Sequence, residues 1–168
     1  MIREKAQLSL EKETLLITLY AKALDSGLPT SLLHDRFAAN LVDRIDEDFE
    51  RLQVDVGTAQ GVALRAKSFD VWTRAFLARE FEATVLHLGC GLDSRILRVD
   101  PPPHVRWFEI DFPDVIDLRR RLYPEREGCS LIGCSVTDPA WLSDIPRDRP
   151  AMIVAEGLMP YLGPTEPQ

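Results

Sequence analysis

Several protein classes are ruled out by what this sequence has little of. Its 168 residues hold three cysteines, Cys90, Cys129 and Cys134, in no CxxC pair. Neither a disulfide framework nor a structural zinc site is therefore expected, and the thiols read as buried side chains in a reducing compartment. Histidine is equally scarce, with only His34, His87 and His104, and no metal-ligating cluster is visible, so no metal is expected. No apolar run approaches the roughly 20 residues of a membrane span. The opening MIREKAQLSLEKE has no apolar stretch, so a secretory leader is not expected and the expected location is the cytoplasm. Positive charge is also in deficit. A net charge of -7 repels phosphate backbones, so nucleic acid is a poor partner and a small molecule or a basic protein surface fits better. No repeat or low-complexity tract is present. With 45% hydrophobic and 28% charged residues, the composition is that of one ordinary globular domain.

The first third reads as helix. Ser9 is placed to cap a segment whose Leu15, Leu16, Leu19, Tyr20, Ala23 and Leu24 form one apolar stripe, closed by Gly27 and Pro29. A second helix is expected after Thr30 or Ser31, with Leu33, Phe37, Leu41 and Ile45 on one face and Asp43, Asp46, Glu47, Asp48 and Glu50 solvated. A third uses Val62, Ala66, Phe69, Thr73 and Phe76. The period then changes. ATVLHLGC (83–90), VRWFEI (105–110), CSLIGCS (129–135) and AMIVAEG (151–157) are short, apolar and β-branched, as buried parallel strands are. A helix with Pro113 in its first turn and a short one around Pro139, Trp141 and Leu142 lie between them. Strands alternating with crossovers imply an α/β fold with a parallel sheet. Three helices before only four strands make the architecture unbalanced. Further strands are expected beyond the C-terminus or from another chain, and a sheet cut here would expose an aggregation-prone edge.

Three motifs can carry chemistry. In HLGCGLDSR (87–95), Gly89 and Gly91 form a GxG turn after the first strand, where backbone N–H groups can approach a ligand without a Cβ in the way. The third glycine of a dinucleotide fingerprint would fall at Ser94, which counts against a pyrophosphate ligand. A turn with no ligand is the plain alternative. In EID (109–111), Asp111 lies 22 positions beyond Gly89, where a carboxylate can hold ribose hydroxyls, although either acid could instead cap the next helix. In AEGLMPYL (155–162), Glu156 leaves the last strand at the carboxyl edge, able to hold an ammonium group, with Tyr161 lining a pocket or merely packing.

HLGCGLDSR, FEIDFPDVIDLRR and AEGLMPYL, in this order and spacing, resemble the leucine carboxyl methyltransferase family, and within it the bacterial branch similar to polyketide carboxyl O-methyltransferases. The front end, LLITLYAKALDSG, LLHDRFAANLVDRID and VALRAKSFDVWTRAFL, resembles that branch too. The resemblance implies a Rossmann-like class I methyltransferase fold. The parallel sheet would have helices on both faces, an N-terminal helical region and cofactor lid over 1–80, and the first half of the cofactor-binding domain over 81–168, with C-terminal strands missing. It implies S-adenosyl-L-methionine as cofactor. By position, Arg65 would pair with the cofactor carboxylate, with Lys22 a weaker candidate for that end. Gly89 and Gly91 would pass under the methionine and ribose. Asp111, helped by Glu109, would hold the ribose. Ser135 and Val136 would lie against the adenine, and Glu156 would receive the amino group. Tyr161 would face the substrate.

The implied reaction is methyl transfer to an oxygen of a small metabolite such as a polyketide. A carboxylate acceptor is ionised near neutral pH and needs no general base, so no catalytic residue is singled out, and His87, inside a strand, reads as core. Two rivals stand beside this reading: an NAD-type oxidoreductase on a similar sheet, and a non-catalytic module or inactive methyltransferase fragment.

Overall fold

The computed structural model describes residues 13–162; Ser9 lies outside them. Helix α1 (Glu13–Ser26) buries Leu16 and Leu19 and stops at Gly27. The second helix starts later than its sequence suggests. Asp25, at the end of α1, accepts hydrogen bonds from Ser31 Oγ (2.8 Å) and from the Leu32 and Leu33 amides (3.0 Å each). These bonds hold 31–33 as a turn, and α2 (Arg36–Arg44) begins only where Asp35 caps it through the Ala38 amide at 3.1 Å. Leu33 is therefore not on its face. Helix α3 (Val56–Leu77), capped by Asp55, covers the expected third pattern.

Strands β1 (Thr84–Leu88), β2 (Arg106–Asp111), β3 (Cys129–Gly133) and β4 (Ala151–Val154) answer the four apolar runs. β1, β3 and β4 are shorter than their runs, which continue into the loop at the carboxyl end, whereas β2 is as long as its run and lies one residue later. All pairings are parallel, in the order β3-β2-β1-β4. Helices α4 (Arg95–Val99) and α5 (Pro113–Leu122) follow β1 and β2. On one face Val85, Trp107 and Val154 pack with Ile96 and Val99 of α4 and with Phe69 and Leu77 of α3, and α5 brings Arg119 to Glu109 of the same pleat. On the other face Leu86, Phe108 and Ile110 are covered by Trp141, carried on a 3₁₀ helix at Pro139–Asp144. The protein is thus an α/β structure with a parallel sheet flanked by helices.

A second core joins the helical front end to the sheet domain. Leu16, Leu19, Leu41, Ile45 and Phe49 close on Leu92 and on Leu118 and Leu122 of α5. His87 is buried, its ring edge-on to Trp107. Of the cysteines only Cys90 is fully buried, Cys129 and Cys134 being half-buried. Burial pushes all three thiols up, Cys129 to about 12. Among the described residues no helix is long and apolar enough to cross a membrane.

The helical front end and the sheet are also tied by charge. Arg98, on α4, reaches Asp35 before α2 (2.7 Å), Asp70 on α3 (2.7 and 3.0 Å) and Asp93 (2.8 Å), while Ser94 donates to Asp35 at 2.7 Å. Burial works against the Asp93 carboxylate, but Arg98, Lys22 and Arg95 outweigh it and hold its carboxyl well below the usual carboxylate range. Arg98→Met leaves three buried acids without that partner and is expected to cost about 3–5 kcal/mol in urea denaturation at neutral pH. Because the folded protein binds the Asp93 proton less tightly than the unfolded chain, Asp93 adds stability above about pH 4 that is lost on further acidification. That acid-dependent loss is expected to be smaller in Arg98→Met.

Candidate functional site

The loops leaving the carboxyl ends of the four strands meet at one edge of the sheet, where ligands bind in open parallel α/β folds. After β1 the chain turns through Gly89 (φ 60°) and Gly91 (φ 49°), left-handed conformations that glycine adopts without strain. The turn is stitched to β2, since the Gly89 amide donates to the Ile110 carbonyl at 2.8 Å and the Gly91 amide to Asp111 Oδ2 at 2.7 Å. Asp111 Oδ1 accepts from the Phe112 amide at 2.8 Å, and its carbonyl takes the Cys134 amide at 2.8 Å. Asp111 thus ties the glycine turn to the loop after β3. That loop is shaped by the contact of Ser135 Oγ with Thr137 Oγ1 (2.8 Å) and by the Trp141 indole donating to the Val136 carbonyl (3.2 Å). The loop after β4 completes the edge. Leu158 lies over Gly89, where a Cβ would come within 2.9 Å of Leu158 Cδ1. Tyr161, largely exposed, hydrogen-bonds Thr14 of α1 at 3.1 Å.

Charges at this edge alternate. Arg65 on α3, half exposed, donates through Nε to Glu156 Oε1 at 3.0 Å. Glu156 Oε2 accepts from Nη2 of Arg95, and that same nitrogen donates to Asp93 Oδ2 at 2.9 Å. Lys22 of α1 lies 3.1 Å from Asp93. The series Arg65, Glu156, Arg95, Asp93, Lys22 thus runs from the surface inward, its four inner members at most 9% exposed at the side chain. Burial and the nearby Arg95 charge hold the His87 imidazole well below its usual range, so it is neutral.

Most of the residues singled out in the sequence share this edge. Arg65, Gly89, Gly91, Asp111, Ser135, Val136 and Glu156 lie on its loops or reach them from α3, with Lys22 and Tyr161 at its α1 side. Glu109 does not. It sits one pleat deeper, buried, with both Nε and Nη2 of Arg119 on its Oε2 and its Oε1 4.0 Å from His87 Nδ1. Arg119 in turn grips the Gly91 and Asp93 carbonyls at 2.7 and 2.9 Å, so Glu109 braces the glycine turn from behind. Arg95, Asp93, Arg119 and Leu158 escaped the sequence reading. For Arg95 the one local signal was the pair of arginines in RILRV, a segment otherwise apolar; Asp93, Arg119 and Leu158 had none.

Gly89→Ala combines a left-handed φ with a clash against Leu158 and is expected to lower stability by more than about 1 kcal/mol. Gly61→Ala, mid-helix in α3 with nothing within 4 Å of the added Cβ, is expected to raise it by about 0.4–1 kcal/mol. Paired denaturant melts check both.

The sequence profile of the leucine carboxyl methyltransferase family matches residues 15–130. The chain is 53% identical over 150 residues to the tetracenomycin polyketide synthesis O-methyltransferase TcmP of Streptomyces glaucescens, covering 89% of this chain and 56% of that protein. It is 40% identical to the S-adenosyl-L-methionine-dependent methyltransferase dpfgK of Gibberella zeae, covering 94% and 58% respectively. It is 31% identical to a Saccharopolyspora erythraea protein described as a possible S-adenosyl-L-methionine-dependent methyltransferase, covering 90% and 58%. The chain spans a little over half the length of these relatives. Their names are all methyltransferase names, which lends no support to the oxidoreductase alternative.

Proposed function

Because the chain belongs to the leucine carboxyl methyltransferase family, we propose that it carries the cofactor-binding part of an S-adenosylmethionine-dependent O-methyltransferase whose acceptor is a carboxylate oxygen of a small metabolite such as a polyketide. Residues 1–80 serve in this reading as helical region and cofactor lid, and 81–168 as the first half of the cofactor-binding domain.

The observation that carries the reading is the pairing of Arg65 with Glu156 at the carboxyl edge beside a glycine turn. A free amino-acid group carries a carboxylate and an ammonium on one carbon, and the two ends match an arginine and a glutamate side by side. The residues fit the rest of the cofactor as well. Gly89 and Gly91 keep Cβ atoms away from a ligand lying across them. Asp111, fixed by the Gly91 and Phe112 amides, offers carboxylate oxygens to ribose hydroxyls at the end of β2. Ser135 and Val136 flank the adenine position.

Bound S-adenosylmethionine supplies a sulfonium-activated methyl group. The protein's own contribution is placement. Arg65 and Glu156 would hold the amino-acid end and Asp111 the ribose, and Tyr161 would face the acceptor. Placement of this kind contributes up to about 7–11 kcal/mol when alignment is ideal. A carboxylate acceptor needs no proton removed at neutral pH. That suits a site where His87 is buried and neutral and burial holds the Cys90 thiol protonated.

Calorimetric titration with S-adenosylhomocysteine tests the reading. Saturable binding is expected, weakened about 10- to 100-fold in Arg65→Ala and in Asp111→Ala, the worth of a charged hydrogen bond. Glu109→Gln is expected to weaken binding less than either, since that carboxylate faces Arg119 and acts on the site only through the glycine turn. A cooperatively folded protein that does not bind would contradict the assignment.

A further inference from the structure

Glu156 has two cationic partners of different character. Arg65 is half exposed, on the outer surface of α3, and holds Oε1 through Nε alone. Arg95 is fully buried, sits over the Phe69 ring with its guanidinium carbon 5.2 Å from the centroid, and holds Oε2. Nη2 of Arg95 is shared between Glu156 and Asp93, and Asp93 is pinned by Lys22 and Arg98. Its Nε and Nη1 make no hydrogen bond, although Nε lies 3.5 Å from Asp70 Oδ1. Arg95 therefore acts on the carboxylate through a single nitrogen whose position is set by α1 and α4.

We propose that Arg95 is a positioning residue that anchors the inner oxygen of Glu156, and that the Arg65–Glu156 pair is a latch opened by a ligand carrying both charges of an amino-acid group. This inference rests on the cofactor reading above. An exposed arginine can swing, whereas one with no exposed surface cannot. Inserting a zwitterion between Arg65 and Glu156 exchanges one ion pair for two, so neither charge is left alone. A ligand with only the nucleoside part leaves the latch shut, and a ligand with only one of the charges opens it at the cost of an unmatched partner. Gly157 (φ 72°) turns the chain beside Arg65 in a left-handed conformation that glycine adopts without strain. Arg95 touches no ligand in this scheme. It keeps the inner oxygen engaged so that the outer one stays aimed at the crevice when Arg65 departs.

The test compares two probes, S-adenosylhomocysteine and 5′-methylthioadenosine, which lacks the amino-acid tail, by calorimetry on the purified protein. Wild type is expected to prefer the first by about 100-fold or more. Arg95→Met is expected to weaken S-adenosylhomocysteine about 30-fold or more and to leave 5′-methylthioadenosine unchanged. Arg95→Lys preserves the buried charge, so it is the variant to rely on should the methionine variant not fold. Its single ammonium cannot serve Asp93 and Glu156 as the fork does, and an intermediate loss confined to S-adenosylhomocysteine is expected. In a Glu156→Gln background, adding Arg95→Met should cost less than about 3-fold, because the residue acts through Glu156. Equal losses for both probes, or full additivity with Glu156→Gln, would overturn the positioning role. A wild type that binds both probes alike would overturn the latch and the amino-acid end of the cofactor reading, leaving only its nucleoside end in place. A folded wild type that binds neither would overturn both.

Discussion

Two arginines buried on a five-residue helix organise this protein. Arg95 and Arg98 follow the glycine turn on α4, and neither charge could stay out of water without acids brought to it. Those acids come from everywhere else: Asp35 before α2, Asp70 on α3, Asp93 from the turn itself and Glu156 from the loop after β4. Satisfying two adjacent guanidinium groups thus fixes where the helical front end sits on the sheet and where the last loop lies across the glycine turn. The apolar core under α1 and α2 supplies area, but area alone tolerates sliding. The ion network does not, because each carboxylate must meet a particular nitrogen.

The same constraint builds the crevice. Arg119, paired with buried Glu109, holds the Gly91 and Asp93 carbonyls from behind, while Asp111 holds the Gly91 amide from the front. The turn is gripped on both sides, so its backbone and the adjoining carboxylates are held in a fixed array. Fixed dipoles and charges of this kind bind a polar ligand without the cost of ordering them at the moment of binding. The one member of the charge series left at the surface is Arg65, and that is where a ligand can enter.

The sheet was legible in the sequence because buried parallel strands are short, apolar and β-branched, and four such runs stood between helical patterns. The glycine turn, Asp111 and Glu156 were legible for a related reason: each sits at a strand's carboxyl end, a place that a strand assignment locates by itself. Arg65 was reached only through family resemblance, since one arginine on a helix says nothing about the loop 91 residues away that it pairs with. The start of α2 was misplaced because Ser31 looks like a cap, while Asp25 claims that hydroxyl for a turn. Glu109 looked like Asp111's neighbour in function because it is its neighbour in sequence. One pleat of depth separates a residue at the strand end from one under a helix, and only α5 carrying Arg119 over it reveals the difference. The roles of Arg95 and Arg98 depend on partners as far as 61 and 63 positions away, and local pattern cannot supply those.

On this reading of the site, the Arg65–Glu156 pair gives way to the two charges of a bound amino-acid group. A crystal structure of the protein soaked with S-adenosylhomocysteine measures this directly. The ligand carboxylate is expected on Arg65 and its ammonium on Glu156, with the Arg65–Glu156 ion pair parted and the Arg95–Glu156 ion pair intact. A ligand seated elsewhere, or bound with Arg65 and Glu156 still paired, would contradict it.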